Sequence, residues 1–302
     1  MALEPLGRGV WQILPTPFRG RQLSIDRESL ARVVGNAATV GVTGVVALGV
    51  LGEAARLSGS ERAAVLETVL VRADGLPVVA GISALATAPA IEQAQKAAEQ
   101  GAAAVMVLVH TGDSDVLAEH ISAISTASGL GVVLQDHPLT TGITISAQNL
   151  VKAIKSAGVV VALKAEAPPT PAAVSTVSQA VDLPIFGGLG GVSLMDELAA
   201  GAAGAMTGFA FPEVLVRTIE VYRHEGLAAA KAVLEPYLPV MIFEAQGAIS
   251  LAVRKELLRR RGLIDEARVR PPGPPVPAWA MPLIEAHLSA LHAPAETVDR
   301  EV

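Results

Sequence analysis

Between Val10 and Thr207 the chain switches eight times from a short apolar run to a longer amphipathic stretch. Such alternation with short connections leaves few topologies, because each strand must lie parallel to the one before it with a helix crossing over. Strands are expected at Val10–Leu14, Gly44–Leu48, Pro77–Ala80, Ala104–Val109, Val132–Gln135, Val159–Lys164, Pro184–Phe186 and Gly204–Thr207. Most lack polar alternation, the habit of strands covered on both faces. Helices are expected to open at Ser24–Asp26 and Ser58–Glu61, which carry good caps, and to run over Pro89–Gln100, Asp115–Thr126, Ser146–Ser156, Ser193–Ala200 and onward from Pro212. Eight such units over about 220 residues predict an α/β fold, a closed (β/α)8 or TIM barrel at residues 1–225, over an open doubly wound sheet. A C-terminal helical extension is expected at residues 226–292, with a proline-rich linker at Pro271–Pro277 and a last helix at Met281–Leu291. Residues 293–302 read as a disordered tail.

Hydrophobic residues make up 51% of the chain and aromatics only 3%, so the core must be built from Ala, Val, Leu and Ile, which speaks against an all-β sandwich. Phe209, Phe211 and Phe243 read as core filling. Net charge is −6 and the basic residues are scattered, so nothing suggests a nucleic-acid partner. The exceptions, Arg254-Lys255 and Arg259–Arg261, have Glu256 and Asp265 nearby and read as a solvated helix face or a subunit contact. The absence of cysteine excludes disulfides, thiolate metal sites and a cysteine nucleophile. The first residues lack the basic start and apolar stretch of a signal peptide, and no apolar run reaches the ~18 residues of a membrane span. A cytoplasmic protein with no membrane partner is expected.

A barrel of this kind places its chemistry at the C-terminal ends of its strands. Thr16, Glu53, His110, Asp136, His137, Lys164, Glu166 and Thr207 close strands here. Lys164 follows the five apolar residues Val159–Leu163. A lysine there loses hydration, its ammonium form is disfavoured, and the neutral amine can attack a carbonyl as a Schiff-base nucleophile. The same stretch also fits a buried ion pair between Lys164 and Glu166 that caps the strand. Glu53 fits an N-cap of the following helix, and His110 fits either a hydrogen-bonded loop or a catalytic position. The glycines of Gly187–Gly191, Gly188 among them, free backbone N–H groups to hold an anion after the seventh strand.

The stretches Leu14–Phe18, Gly41–Gly44, Gly49–Glu53 with Leu57-Ser58 and Glu61-Arg62 behind it, Pro77–Gly81, and the sixth-strand Lys164 occur in order. Together they resemble the dihydrodipicolinate synthase/N-acetylneuraminate lyase family. The resemblance implies a class I aldolase-type barrel in which Lys164 forms a Schiff base with pyruvate or another 2-oxo acid. It implies a homo-oligomer, tetramer or dimer, a small-molecule 2-oxo acid as partner, and no cofactor.

The chain departs from the family's pattern at several positions. Val50 and Leu51 stand where the family carries two hydroxyl residues that relay protons and bind the keto-acid carboxylate. Gln135 stands where it carries a tyrosine as proton shuttle, and an amide cannot transfer protons as a phenol does. Leu139 or Thr140 stands where synthase members carry an arginine for a second carboxylate, and His110–Gly112 replaces a proline-tyrosine-tyrosine. True dihydrodipicolinate synthase activity is therefore not expected. The expected catalytic set is Lys164 as nucleophile, Gln135 orienting the substrate, and Asp136 or His137 moving protons. Thr16, Val50, Leu51, His110, Gly188 and Thr207 are the expected substrate-binding positions. Two alternatives stand beside it: a metal-dependent lyase with Glu53, His110, Asp136, His137 and Glu166 as hard ligands, and a non-catalytic keto-acid-binding barrel.

Overall fold

The computed structural model describes residues 3–292. Eight parallel strands close into one barrel: β1 Gly9–Ile13, β2 Gly44–Ala47, β3 Val78–Ile82, β4 Ala104–Leu108, β5 Gly131–Asp136, β6 Val160–Ala165, β7 Ile185–Gly187 and β8 Gly204–Thr207. Closure is made by β1, which pairs Trp11 with Gly44 on one side and Val10 with Ala205 on the other.

Side-chain alternation along the strands builds two cores. Inside the barrel pack Trp11, Ile13, Val46, Val79, Met106, Val133, Phe186 and Met206. Between barrel and helices pack Val10, Val45, Val105, Leu134 and Leu163 against Leu30, Val33, Leu66, Leu117 and Ile121. Phe209, Phe211 and Phe243 are buried in that outer core. The helices start where the sequence supplies an oxygen to their free N–H groups: Asp26 caps Arg27–Thr39, and Ser58 with Glu61 forms a capping box on Gly59–Arg72.

Three expectations are corrected. Ser24–Ile25 is a short strand paired with Phe18–Arg19, so the first helix begins only after Asp26. Helices Pro138–Thr141 and Thr170–Ser178 are not among those expected; they form with proline in the first turn, where it is tolerated. Glu53 caps no helix. Its buried carboxylate binds Lys255 Nζ at 2.5 Å, Arg56 Nη1 at 2.9 Å and the Arg270 N–H at 2.9 Å.

Of the C-terminal helices Leu227–Leu234, Leu238–Glu244, Ser250–Arg260 and Met281–His292, that network ties Ser250–Arg260 to the barrel. Arg254 and Lys255 are buried, contrary to the solvated face expected for them. The physical reason is that Ala252, Val253, Leu257 and Leu258 are all buried, so the helix turns this stretch toward the barrel. Lys255 also donates to the Arg268 carbonyl at 2.7 Å and lies 4.5 Å from the Phe18 ring centre. The expected tail at 293–302 lies outside the described residues. Among the described residues no helix is long and apolar enough to cross a membrane.

Removing one partner of a buried pair strands the other charge. Lys255→Met is therefore expected to lower the thermal unfolding midpoint by roughly 5–10 °C. A midpoint equal to that of the parent protein would refute the anchoring role.

Candidate active site

At the C-terminal mouth of the barrel the filling of the interior changes from apolar to polar. Val133 belongs to the inner core, and two residues on, Gln135 faces the same side; Ala162 likewise precedes Lys164. The pairing of β5 with β6 sets Gln135 directly beside Lys164. Lys164 Nζ lies 3.0 Å from Glu166 Oε2, with both side chains almost completely buried. Gln135 Nε2 donates to the same oxygen at 2.7 Å, and the Leu189 N–H donates to Oε1 at 3.1 Å. Burial alone would raise the Glu166 carboxyl, but the positive Lys164, His137 and the Gln135 hydrogen bond outweigh it and hold it below the usual carboxylate range. Gly188 makes room for this arrangement, since a Cβ there would sit 2.2 Å from Glu166 Oε1.

Lys164, Glu166, Gln135 and His137 open on a cavity of about 310 Å³. Its other walls include Ile13, Val50, Leu51, Met106, Leu139, Thr207 and, from the C-terminal helices, Ser250 and Arg254. It continues past Leu51, Gln135 and Ser250 into a second space of about 490 Å³ that reaches toward Leu85, Thr141 and Pro274. Thr207 Oγ1 accepts from the Gly190 N–H at 2.9 Å, which fixes the turn after β7 against the end of β8.

His137 Nδ1 is buried without a partner. Burial lowers its pKa, Glu166 partly counteracts this, and Lys164 lowers it further, so the imidazole holds a proton less readily than a free one. Asp136 alternates to the outer side with Leu134 and lines neither space. Burial, aided by the negative Glu166, pushes its carboxyl up to about 6. His110 also lies off both spaces, its ring 4.1 Å from that of His120, which burial pushes down to about 4. Thr16 is buried behind the Gly49–Glu53 turn, where its hydroxyl donates to the Gly52 carbonyl at 2.6 Å. Of the expected positions, the structure thus brings Lys164, Gln135, His137, Val50, Leu51 and Thr207 to one cavity, and leaves Asp136, His110, Thr16 and Gly188 off its walls. The five expected hard ligands do not converge, and no cluster of three or more His, Asp or Glu side chains suited to a metal occurs among the described residues.

Sequence reasoning missed Arg254. The Arg254 Nε donates to Glu244, whose other oxygen accepts from the Ala210 N–H at 3.1 Å. A run rich in basic residues carries no mark of which one turns inward.

The model of the dihydrodipicolinate synthetase family matches residues 7–291. The chain belongs to the dihydrodipicolinate synthetase family. This is a family of class I aldolase- and dehydratase-type lyases. A member from Azospirillum brasilense, L-2-keto-3-deoxyarabonate dehydratase, is 28% identical over 283 residues, covering 89% of this chain and 90% of the relative. A 4-hydroxy-tetrahydrodipicolinate synthase from Phenylobacterium zucineum is 34% identical, but the match covers 52% of this chain and 54% of that one, about half the length of each. The crystal structure of the dihydrodipicolinate synthase from Rhodopseudomonas palustris superposes with a TM-score of 0.90 at 30% identity, covering 96% of this chain and 99% of the other.

The charge balance around His137 can be read by NMR titration. Its midpoint is expected below the ordinary ~6.5 of a free imidazole, and Glu166→Gln, which removes the charge that raises it, is expected to push it lower still. Between the folded and unfolded values the unfolded chain binds more protons, so stability attributable to His137 falls as pH drops through that window. A midpoint that rises in Glu166→Gln would contradict this.

Proposed function

We propose that this member is a Schiff-base lyase, an aldolase or dehydratase, that binds a 2-oxo acid through Lys164. The observation that carries it is the buried Lys164–Glu166 pair opening on a cavity at the C-terminal mouth of the barrel. Lys164 first passes one ammonium proton to the neighbouring Glu166 carboxylate; the neutral amine then bonds the carbonyl carbon of a ketone, and the carbonyl oxygen leaves as water, taking up that proton and a second one from the nitrogen, giving a protonated imine. The net charge at the nitrogen is the same at the start and at the end, so Glu166, 3.0 Å from Lys164 Nζ in the free protein, faces a cation in both states. The cationic imine is an electron sink that labilises bonds at the neighbouring C3.

Within this proposal Gln135 orients Glu166 and the bound carbonyl, and His137, whose pKa burial lowers, takes and returns the C3 proton. Val50, Leu51 and Thr207 shape the walls. The departures from the synthase pattern at Val50, Leu51, Gln135 and Leu139 support a substrate other than that of dihydrodipicolinate synthase, and the near full-length likeness to a keto-deoxy sugar acid dehydratase supports a 2-oxo acid bearing a leaving group beyond C3. Self-association is part of the proposal, supported by the exposed apolar side chains Ile242, Trp279 and Leu283 on the C-terminal segments. The replacement of a phenol by an amide at residue 135 favours, as the second reading, a keto-acid-binding barrel without turnover.

Borohydride reduction in the presence of pyruvate or larger 2-oxo acids is expected to leave a mass adduct on the peptide holding Lys164, absent in Lys164→Ala. A folded protein that yields no adduct with any 2-oxo acid would sink the proposal. Deuterium uptake at C3 of bound pyruvate separates the two readings: it is expected in the parent protein and slowed roughly 100- to 10,000-fold in His137→Asn. An adduct without exchange in the parent would favour binding alone.

A further inference from the structure

Arg254 is buried, with 3% of its surface exposed, and its side chain is held from one edge only. Nε is taken by Glu244, whose second oxygen is fixed by the Ala210 N–H. Nη1 is buried and has no hydrogen-bond partner. It lies against Gly208, where a Cβ would come within 2.9 Å of it, next to Leu51 and the Ile13 carbonyl carbon's oxygen. Arg254 and Lys164 line the same cavity, as does Thr207 at the end of β8, whose hydroxyl accepts from the Gly190 N–H after β7.

A guanidinium N–H withdrawn from water and given no acceptor is a costly arrangement, and buried polar groups of this kind are normally satisfied. The planar fork of arginine matches the two oxygens of a carboxylate. Val50 and Leu51 offer no side-chain hydroxyl to such a group, so the unpartnered Nη1 N–H of Arg254, whose charge Glu244 already balances at Nε, is the side-chain donor left for an anion entering beside Lys164.

We propose that Arg254 binds the carboxylate of the 2-oxo acid, so that the C-terminal helix Ser250–Arg260 supplies the anion-binding half of the site. The proposal rests on Lys164 being the imine-forming lysine. It makes Arg254 a specificity-determining residue: it selects carbonyl compounds bearing a carboxylate from those that do not, with Glu244 holding the fork in place.

The test is borohydride trapping on the full chain with two probes, pyruvate and acetone, which differ by the carboxylate. The half-saturating concentration of each is read by intact mass. In Arg254→Met the preference for pyruvate over acetone is expected to fall roughly 10- to 100-fold, the factor for a hydrogen bond to a charged group. Arg254→Met also strands the buried Glu244, so the paired variant Glu244→Gln/Arg254→Met, in which an amide oxygen still accepts from the Ala210 N–H, carries the same expectation with the fold preserved. A preference equal to that of the parent in either folded variant overturns the assignment of Arg254 and leaves that of Lys164 standing. A parent protein that traps neither probe overturns the role of Lys164, and the role of Arg254 with it.

Discussion

A lysine and a glutamate buried 3.0 Å apart at the end of a central strand impose their terms on everything around them. Neither charge can be left alone in that position without a penalty of several kcal/mol, so each must be matched and the lone pairs that remain must be satisfied. The surroundings do this piece by piece. Gln135 and the Leu189 N–H take the free positions on Glu166, and Gly188 gives up a side chain so that the carboxylate can fit. The barrel register that sets Gln135 beside Lys164 is thus part of the electrostatics of the site as well as of its packing.

The same device recurs one layer further out. Glu53 on the turn after β2 and Lys255 on helix Ser250–Arg260 are separated by 202 residues in the chain and meet at 2.5 Å in the interior. Glu244 and Arg254 form a second buried pair nearby. Pairs like these contribute modest net stability, but they fix geometry, because breaking either one leaves an unpaired charge in a dry interior. They make the C-terminal helices a wall of the cavity. At the C-terminal mouth the apolar filling of the barrel gives way to the polar side chains that line this cavity, the end at which barrels of this kind carry their sites.

Most of the fold was legible because it rests on short-range periodicity. Apolar strand runs, caps such as Asp26 and Ser58, and glycine or proline punctuation act over a few residues and can be counted. What was missed lay at proline-rich junctions: Pro138–Thr141 and Thr170–Ser178 are helical, and neither is among the expected helices. In the site, Gln135 stood out because it stands where the resembled family carries a tyrosine, and Lys164 because a polar residue ending an apolar strand needs a reason. Asp136 satisfied the same criterion and yet faces outward, since one residue of offset in a strand reverses the side. The long-range pairs were not legible at all: Glu53 looked like a helix cap and Arg254 like one more charge on a solvated face.

The sequence by itself determined the eightfold alternation, the family, and a lysine at the end of the sixth strand, because each is written in neighbouring residues. Only the tertiary structure decided which strand-end residues share the cavity, that Glu166 is held by three donors, and that a helix from beyond the barrel turns Arg254 inward. Those facts depend on which side of a strand or helix faces a partner distant in the chain, and ring closure, which brings such partners together, has no local signature.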